Sequence, residues 1–188
     1  TNSSYFLYQN LPSLSTFKHN YPKNASLDYE MSSASMYILV GGDILQMKIN
    51  AEKNGKGHYY RNACALRVSY TLLKSGIIIP NIPNVTFRGA DINGVATYYF
   101  LRAEDLYLWM MEEFYHGNII TLTSSDKGNA EGDGYKSALE GKQGIYLMIP
   151  QVKNAFGASG HAGIYTISAL TNYYFGADVK YITLWQLY

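Results

Sequence analysis

The residues of this 188-residue chain best suited to nucleophilic chemistry are its single cysteine and its four histidines. Cys64 stands at the start of a predicted helix over residues 63–75, for which Asn62 offers an N-cap and Gly76 a stop signal. A thiol at a helix N-terminus lies near unpaired N–H groups and the helix dipole, which lower its pKa. The sequence therefore predicts either a reactive Cys64 or, as for most free cysteines, a small buried residue.

His161 has the best context for a general base. It lies in the small-residue segment 157–165, where a substrate backbone can approach closely, and Gly160 directly precedes it. The alternative is a turn histidine that bonds a carbonyl group. The other histidines lie in a polar N-terminal region, a glycine-flanked loop and a helix end: His19, His58 and His116.

Arg67 and Gly160 are the candidate substrate-binding residues. Arg67 lies one turn beyond Cys64 and points roughly the same way, so its guanidinium is suited to a substrate carboxylate. A structural ion pair is an equally favoured interpretation of Arg67. The backbone N–H of Cys64 is a candidate donor to the oxyanion that forms when a carbonyl is attacked.

Composition and motifs exclude several classes of function. Fifteen Lys and Arg against fourteen Asp and Glu leave a net charge of +1, which argues against nucleic acid and anionic membrane as partners. No apolar run approaches the roughly 18 residues of a membrane-inserted helix. A calcium-like loop at 126–132 has Gly128 and Ala130 where oxygen ligands are needed, and no phosphate-binding loop occurs. We expect no metal and no cofactor.

The length predicts one domain over residues 1–188, and 19 tyrosines with 17 glycines favour an α+β fold. The remaining pattern predicts a short helix near 11–21, a strand or hairpin in 36–40 and 44–49, a loop at 50–60, a helix at 102–116 and a mobile loop at 124–144. Three strands at 145–149, 161–167 and 181–187 are expected to form a small antiparallel sheet.

Residues 62–72, Asn-Ala-Cys-Ala-Leu-Arg-Val-Ser-Tyr-Thr-Leu, resemble the nucleophile motif of the fourth family of type VI secretion amidase effectors. Ser75-Gly76 and Ile79-Pro80 after the motif, Tyr21-Pro22 before it, Ser159-Gly160-His161 and the closing strand 181–187 agree. The resemblance covers about residues 11–187. It implies a papain-like, NlpC-like fold with the nucleophile helix packed on a small antiparallel sheet.

The resemblance also implies a function. The family cleaves the amide bond between D-glutamate and meso-diaminopimelate in the peptidoglycan stem peptide, with Cys64 expected as nucleophile and His161 as base. Its members are antibacterial effectors that are secreted or delivered to the periplasm of target bacteria, and each has a cognate immunity protein. The chain starts at Thr1 without a secretory signal, so an earlier leader is also compatible with this destination.

Two departures from the family pattern concern the C-terminal third. The family places an aspartate eleven residues after the histidine, where this chain has Asn172, which can still accept the imidazole N–H. A shift in the match would instead select Asp178, so both are candidates for the third catalytic residue. The pair of cysteines that many members carry is absent here, which predicts a looser turn at 168–180.

Two other functions are compatible with the same residues. The first is a related cysteine hydrolase that acts on another amide. The second is a catalytically idle module that binds cell-wall peptide or an inhibitor protein, to which the aromatic segments 59–60 and 173–175 are suited.

Overall fold

The computed structural model describes residues 3–155 and 157–188. These residues form a mixed α+β structure, as the sequence predicts. Its helices are α1 (Leu14–Asn20), α2 (Ser33–Val40), α3 (Gly42–Lys53), α4 (Cys64–Lys74), α5 (Ala103–Glu113) and α6 (Asp133–Leu139). Its strands are β1 (Thr86–Arg88), β2 (Tyr98–Phe100), β3 (Ile119–Leu122), β4 (Gly144–Pro150), β5 (His161–Tyr165) and β6 (Val179–Gln186). Short 3-10 turns cover Ser3–Tyr5, Gly57–Tyr60 and Ser124–Asp126.

The main sheet is antiparallel, with strand order β3-β6-β4-β5. The three predicted C-terminal strands are confirmed as β4, β5 and β6, while β3 was not predicted. β5 lies at the sheet edge and pairs with β4 so that His161 is opposite Met148. One side of β5 therefore offers backbone groups that no neighbouring strand of this sheet uses.

The predicted nucleophile helix is confirmed as α4, which begins and ends within one residue of the expected bounds. Its apolar residues Ala65, Val68 and Leu72 are fully buried and share a core cluster with Ala162 and Ile164 of β5. The 3–4 spacing of these side chains directs one face of the helix onto the sheet. This packing places the first turn of α4 beside the start of β5.

The predicted strand or hairpin at 36–49 is wrong, because this segment forms α2 and α3. Ser32 caps α2 by accepting the backbone N–H of Ser35 at 3.2 Å. Gly41 and Gly42 have φ of +62° and +59°, which separate the two helices. A side chain on Gly42 would come within 2.2 Å of the Gly89 carbonyl carbon, so this close approach requires glycine.

The predicted loops are also corrected. Residues 124–144, expected to be a mobile loop, contain a 3-10 turn and α6, whose Tyr135 and Leu139 are fully buried against the main sheet. The expected loop at 50–60 is partly helical, since α3 continues to Lys53. The helix predicted for 102–116 is confirmed but ends at Glu113, and the short helix near 11–21 is α1.

Candidate active site

Cys64 is the first residue of α4, and its side chain is 3% exposed. Ala63, at the N-cap position, has no side chain that can accept a hydrogen bond from the helix. Asn62 takes over this role: its Oδ1 accepts the Cys64 backbone N–H at 3.0 Å. Asn62 is therefore not the N-cap residue that the sequence predicts, but its side chain accepts the first N–H of the helix from one residue earlier.

Backbone groups on both sides of His161 surround the Cys64 sulfur. Sγ lies 3.9 Å from the Gly160 carbonyl oxygen, which can accept the thiol proton. The backbone N–H of Ala162 is a hydrogen-bond partner on the other side. The start of α4 thus lies against the outer edge of β5, and the structure brings Cys64 to the segment that carries His161.

The His161 side chain is held by the turn that follows β5. The residue is 6% exposed, and its Nε2 lies 3.2 Å from Thr171 Oγ1. The backbone of Asn172 forms a further hydrogen bond with the ring, and the Tyr174 ring packs edge-on at a centroid distance of 4.9 Å. Thr171, itself buried, is the contact that sequence reasoning missed; its only signal was a hydroxyl next to the expected third residue.

The two predicted third residues lie elsewhere. The Asn172 side chain is exposed, and its Oδ1 accepts the Tyr174 backbone N–H at 2.9 Å, so Asn172 reaches the imidazole through its backbone instead. The Asp178 side chain is 93% exposed and lies 3.6 Å from Lys127 Nζ. The structure therefore does not bring the Asp178 carboxylate to the buried imidazole.

Arg67 forms the structural ion pair, which was one of its two interpretations. Its guanidinium lies 3.3 Å from a Glu30 carboxylate oxygen, and both side chains are less than 10% exposed. Nε donates to the Met31 carbonyl at 2.8 Å, and the Tyr21 hydroxyl donates to Glu30 at 2.8 Å. With its donors engaged inside the protein, Arg67 is not placed to bind a substrate carboxylate directly.

Burial governs the protonation of Cys64 and His161. It raises the pKa of the Cys64 thiol, against the smaller opposing effects of the Ala162 N–H and the Arg67 charge. Burial also lowers the pKa of His161 to about 4, and the Arg67 charge acts in the same direction. The predicted lowering of the thiol pKa is therefore wrong, and at pH 7 both the Cys64 thiol and the His161 imidazole are neutral.

A cavity of about 380 Å³ leads to Cys64. Its lining includes aromatic rings and the small residues of segment 157–160. Among the lining residues that the structure describes, Arg102 is the only charged one. Gly160 is buried at the inner end, where a Cβ would lie 2.4 Å from the Met148 carbonyl oxygen, so no larger residue fits without a shift. The lining residues are Tyr37, Met47, Tyr59, Tyr60, Asn62, Cys64, Phe87, Leu101, Arg102, Ala103, Asn154, Gly157, Ala158, Ser159 and Gly160.

Metal ligation and membrane insertion were both expected to be absent. Within residues 3–155 and 157–188, no group of three or more His, Cys, Asp or Glu residues is arranged to hold a metal ion. The same residues include no helix with the length and apolar character needed to cross a membrane.

A cysteine-bearing helix packed on an antiparallel sheet places the fold in the NlpC-like, papain-related class of cysteine hydrolases. The family model of type VI secretion system amidase effector protein 4 (Tae4) matches residues 60–185. The chain therefore belongs to this family and is a peptidoglycan amidase effector of type VI secretion. The family resemblance drawn from its motifs is confirmed.

Solved structures agree with this assignment at the level of the fold. Tae4 from Salmonella typhimurium, in complex with the immunity protein Tai4, superposes with a TM-score of 0.66 at 23% identity, covering 95% of this chain and 100% of the other. Tae4 from Enterobacter cloacae has a TM-score of 0.66 at 19% identity, covering 95% and 98%. No curated protein sequence matches the chain.

Proposed function

We propose that this chain hydrolyses the amide bond between D-glutamate and meso-diaminopimelate in peptidoglycan stem peptides, in the periplasm of target bacteria. Cys64 is the nucleophile and His161 the general base. The observation that carries this proposal is the position of the Cys64 sulfur, between the Gly160 carbonyl and the Ala162 N–H that flank His161. Cys64 and Gly160 both line the cavity.

The neutral resting pair defines the order of proton transfers. The Cys64 thiol gives its proton to His161 as the sulfur attacks the D-glutamate carbonyl carbon. The protonated imidazole then gives this proton to the diaminopimelate nitrogen as the carbon–nitrogen bond breaks, leaving a thioester on Cys64. Water, deprotonated by His161, attacks the thioester, and the products are a free amine, a new carboxyl group and the regenerated thiol.

Thr171 and Asn172 hold the imidazole during these steps. The Thr171 hydroxyl and the Asn172 backbone contact the ring, while the Asn172 carboxamide braces the turn through the Tyr174 N–H. A neutral orienting group is compatible with a base that is neutral at rest, because none of the described groups that act on the ring is a carboxylate that would favour the imidazolium. Asp178 has no part in this arrangement, since its carboxylate lies in solvent beside Lys127.

The cavity walls fit a peptide that carries carboxylates. Tyr37, Tyr59, Tyr60 and Phe87 provide apolar contact area, and Gly160 lines the cavity together with Cys64. Arg102 lines the same cavity, and its 52% exposed side chain lies 3.7 Å from the Glu104 carboxylate. An exposed ion pair of this kind is weak, so the guanidinium can also contact a stem-peptide carboxylate. We assign to Arg102 the substrate contact that the sequence suggested for Arg67.

A cognate immunity protein is part of this proposal. The solved structures of the similar Tae4 effectors include complexes with Tai4. We infer that a protein of the same kind protects the cell that produces this chain.

The test is digestion of purified sacculi followed by mass spectrometry of the muropeptides. The wild-type chain should produce a free amino group on diaminopimelate and a free carboxyl group on D-glutamate. Cys64→Ala and His161→Ala should produce neither, because members of one catalytic unit fail together. His19→Ala, which removes an exposed imidazole, is the matched control and should retain full activity.

Two results would contradict the proposal. Turnover by a correctly folded Cys64→Ala or His161→Ala variant would exclude the mechanism. Binding of sacculi by the wild-type chain without any new muropeptide would instead indicate an idle binding module.

A further inference from the structure

We propose that the Asn62 side chain is a catalytic residue that donates a hydrogen bond to the oxyanion, alongside the Cys64 backbone N–H. This inference rests on the proposed cysteine mechanism and adds a residue to it. Asn62 is suited to the role because it lines the cavity together with Cys64 and already bonds the backbone group that the oxyanion needs.

The resting geometry places the carboxamide at the oxyanion position. The Cys64 N–H, the first of α4, donates to Asn62 Oδ1 at 3.0 Å. A carbonyl under attack by Cys64 Sγ has its oxygen beside this same N–H, since sulfur and nitrogen belong to one residue. The incoming oxygen must therefore displace Oδ1, and the Asn62 side chain is its immediate neighbour.

Rotation of the carboxamide converts an acceptor into a donor. The Asn χ2 torsion joins an sp³ to an sp² atom and is broad, so rotation is easy. Turning the group away from the Cys64 N–H brings Nδ2, with its two protons, towards the displacing oxygen. Both N–H groups can then point at one oxyanion. Before substrate binds, Oδ1 keeps the Cys64 N–H from being left without a partner.

Tyr37 fixes the backbone from which this side chain turns. Its hydroxyl donates to the Asn62 carbonyl oxygen at 3.3 Å, and its ring packs edge-on against Tyr60 at a centroid distance of 5.6 Å. Burial raises the pKa of Tyr37, so the hydroxyl keeps the proton that it donates. The main chain of Asn62 is thus anchored while its exposed carboxamide can turn.

The competing interpretation is that Asn62 only caps α4. Aspartate separates the two roles, because it is as good a cap as asparagine but has no N–H to donate. If Asn62 is an oxyanion donor, Asn62→Asp and Asn62→Ala should both lower kcat by about 10²- to 10³-fold with little change in KM. If Asn62 is only a cap, Asn62→Asp should retain nearly full kcat.

The experiment measures three quantities on the purified full chain: kcat and KM on a defined D-glutamate–diaminopimelate stem peptide, the rate of Cys64 alkylation by iodoacetamide, and the unfolding temperature. Alkylation requires the Cys64 thiolate but forms no oxyanion. Its rate therefore reports separately on any effect that the new carboxylate of Asn62→Asp has on the thiol. We expect alkylation of Asn62→Ala within about threefold of wild type and an unfolding temperature of Asn62→Asp close to wild type. Asn93→Asp, in the exposed turn between β1 and β2, is the matched control.

The outcomes distinguish this inference from the mechanism on which it rests. A wild-type chain that cleaves the peptide, an inactive Cys64→Ala and an Asn62→Asp variant with more than a third of wild-type kcat would overturn the Asn62 role alone. A loss of kcat in Asn62→Ala matched by an equal loss in alkylation would also overturn it, since the defect would then lie in the thiol. A wild-type chain that leaves the peptide intact would overturn the proposed function itself.

Discussion

Replacing His161 with a residue that does not titrate should reduce the loss of stability that the protein shows as the pH falls. The folded protein holds this imidazole neutral, since burial lowers its pKa from 6.5 to about 4. In the unfolded chain the ring binds a proton near pH 6.5. The contribution of the neutral ring to stability is therefore complete above pH 6.5 and is lost as the pH falls through about 4. His161→Gln, which cannot titrate, should not show this loss.

The magnitude follows from the two pKa values. One pH unit of difference is worth about 1.4 kcal/mol, so a fall from 6.5 to about 4 corresponds to about 3.4 kcal/mol of unfolding free energy at low pH. At pH 4 the folded ring is half protonated, and the loss between pH 7 and pH 4 is about 3 kcal/mol. This is a large share of the stability that a single domain usually has.

Urea unfolding at pH 7, 5.5 and 4 measures the effect. Carboxylates titrate in the wild-type and variant proteins alike, so the difference between their free energies of unfolding isolates His161. Between pH 7 and pH 4 the wild type should lose about 3 kcal/mol more than His161→Gln. His19→Gln, which removes an exposed imidazole, should follow the wild type. Parallel pH profiles for the wild type and His161→Gln would refute the reasoning.

Three further predictions concern the surroundings of the site. Thr171→Val removes the hydroxyl 3.2 Å from the imidazole and should lower kcat roughly fivefold at unchanged KM. Asn172→Ala keeps the backbone hydrogen bond to the ring and should lower kcat less. Kinetics on the stem peptide measure both effects, and a larger loss in Asn172→Ala would contradict this. Burial raises the Cys64 pKa, so iodoacetamide should label Cys64 more slowly than free cysteine at pH 7 and faster as pH rises; rapid labelling at pH 7 contradicts this. Arg67→Met strands the buried Glu30 carboxylate and should cost about 3–5 kcal/mol in urea unfolding, most of which adding Glu30→Gln should restore.

The local sequence pattern was sufficient to predict those elements whose own residues define their periodicity and their ends. The nucleophile helix has a 3–4 apolar spacing, a capping asparagine and a glycine stop, and its observed bounds differ from the prediction by one residue at each end. The three C-terminal strands are apolar runs between glycine-bearing turns and were predicted correctly. The packing of this helix on these strands brings Cys64 to the start of β5, so this part of the site could be predicted from the sequence.

Tertiary context decided the parts that were mispredicted. The apolar run at 36–40 is too short to distinguish a strand from a helix by periodicity. It is a helix because Met36, Tyr37 and Val40 pack against Leu66 of α4 and Tyr99 of β2. The prediction for 124–144 relied on glycine content, but Tyr135 and Leu139 anchor a helix to the sheet there.

Contacts between segments distant in sequence also determined the roles of the polar residues. Arg67 lies one turn beyond Cys64, as expected, yet it pairs with a glutamate 37 positions earlier, and helix spacing does not reveal such a pairing. The predicted third residue illustrates the same limit. Counting eleven residues from His161 leads to Asn172, whose side chain is exposed, while the Thr171 hydroxyl and the Asn172 backbone contact the ring.

The charges that arise in the proposed mechanism explain why a neutral thiol and a neutral imidazole suit this site. In the proposed mechanism, attack moves a proton to the His161 ring and negative charge to the substrate oxygen beside the Cys64 N–H. Arg67 opposes the first change and favours the negative charge that develops near Cys64. The cost of protonating the His161 ring is offset when the substrate oxygen at the start of α4 accepts hydrogen bonds from the Cys64 N–H and the Asn62 side chain that we propose as its donors. In this mechanism the Cys64 thiol is protonated at pH 7 and gives up its proton during attack, so we expect its reactivity at that pH to depend on substrate binding.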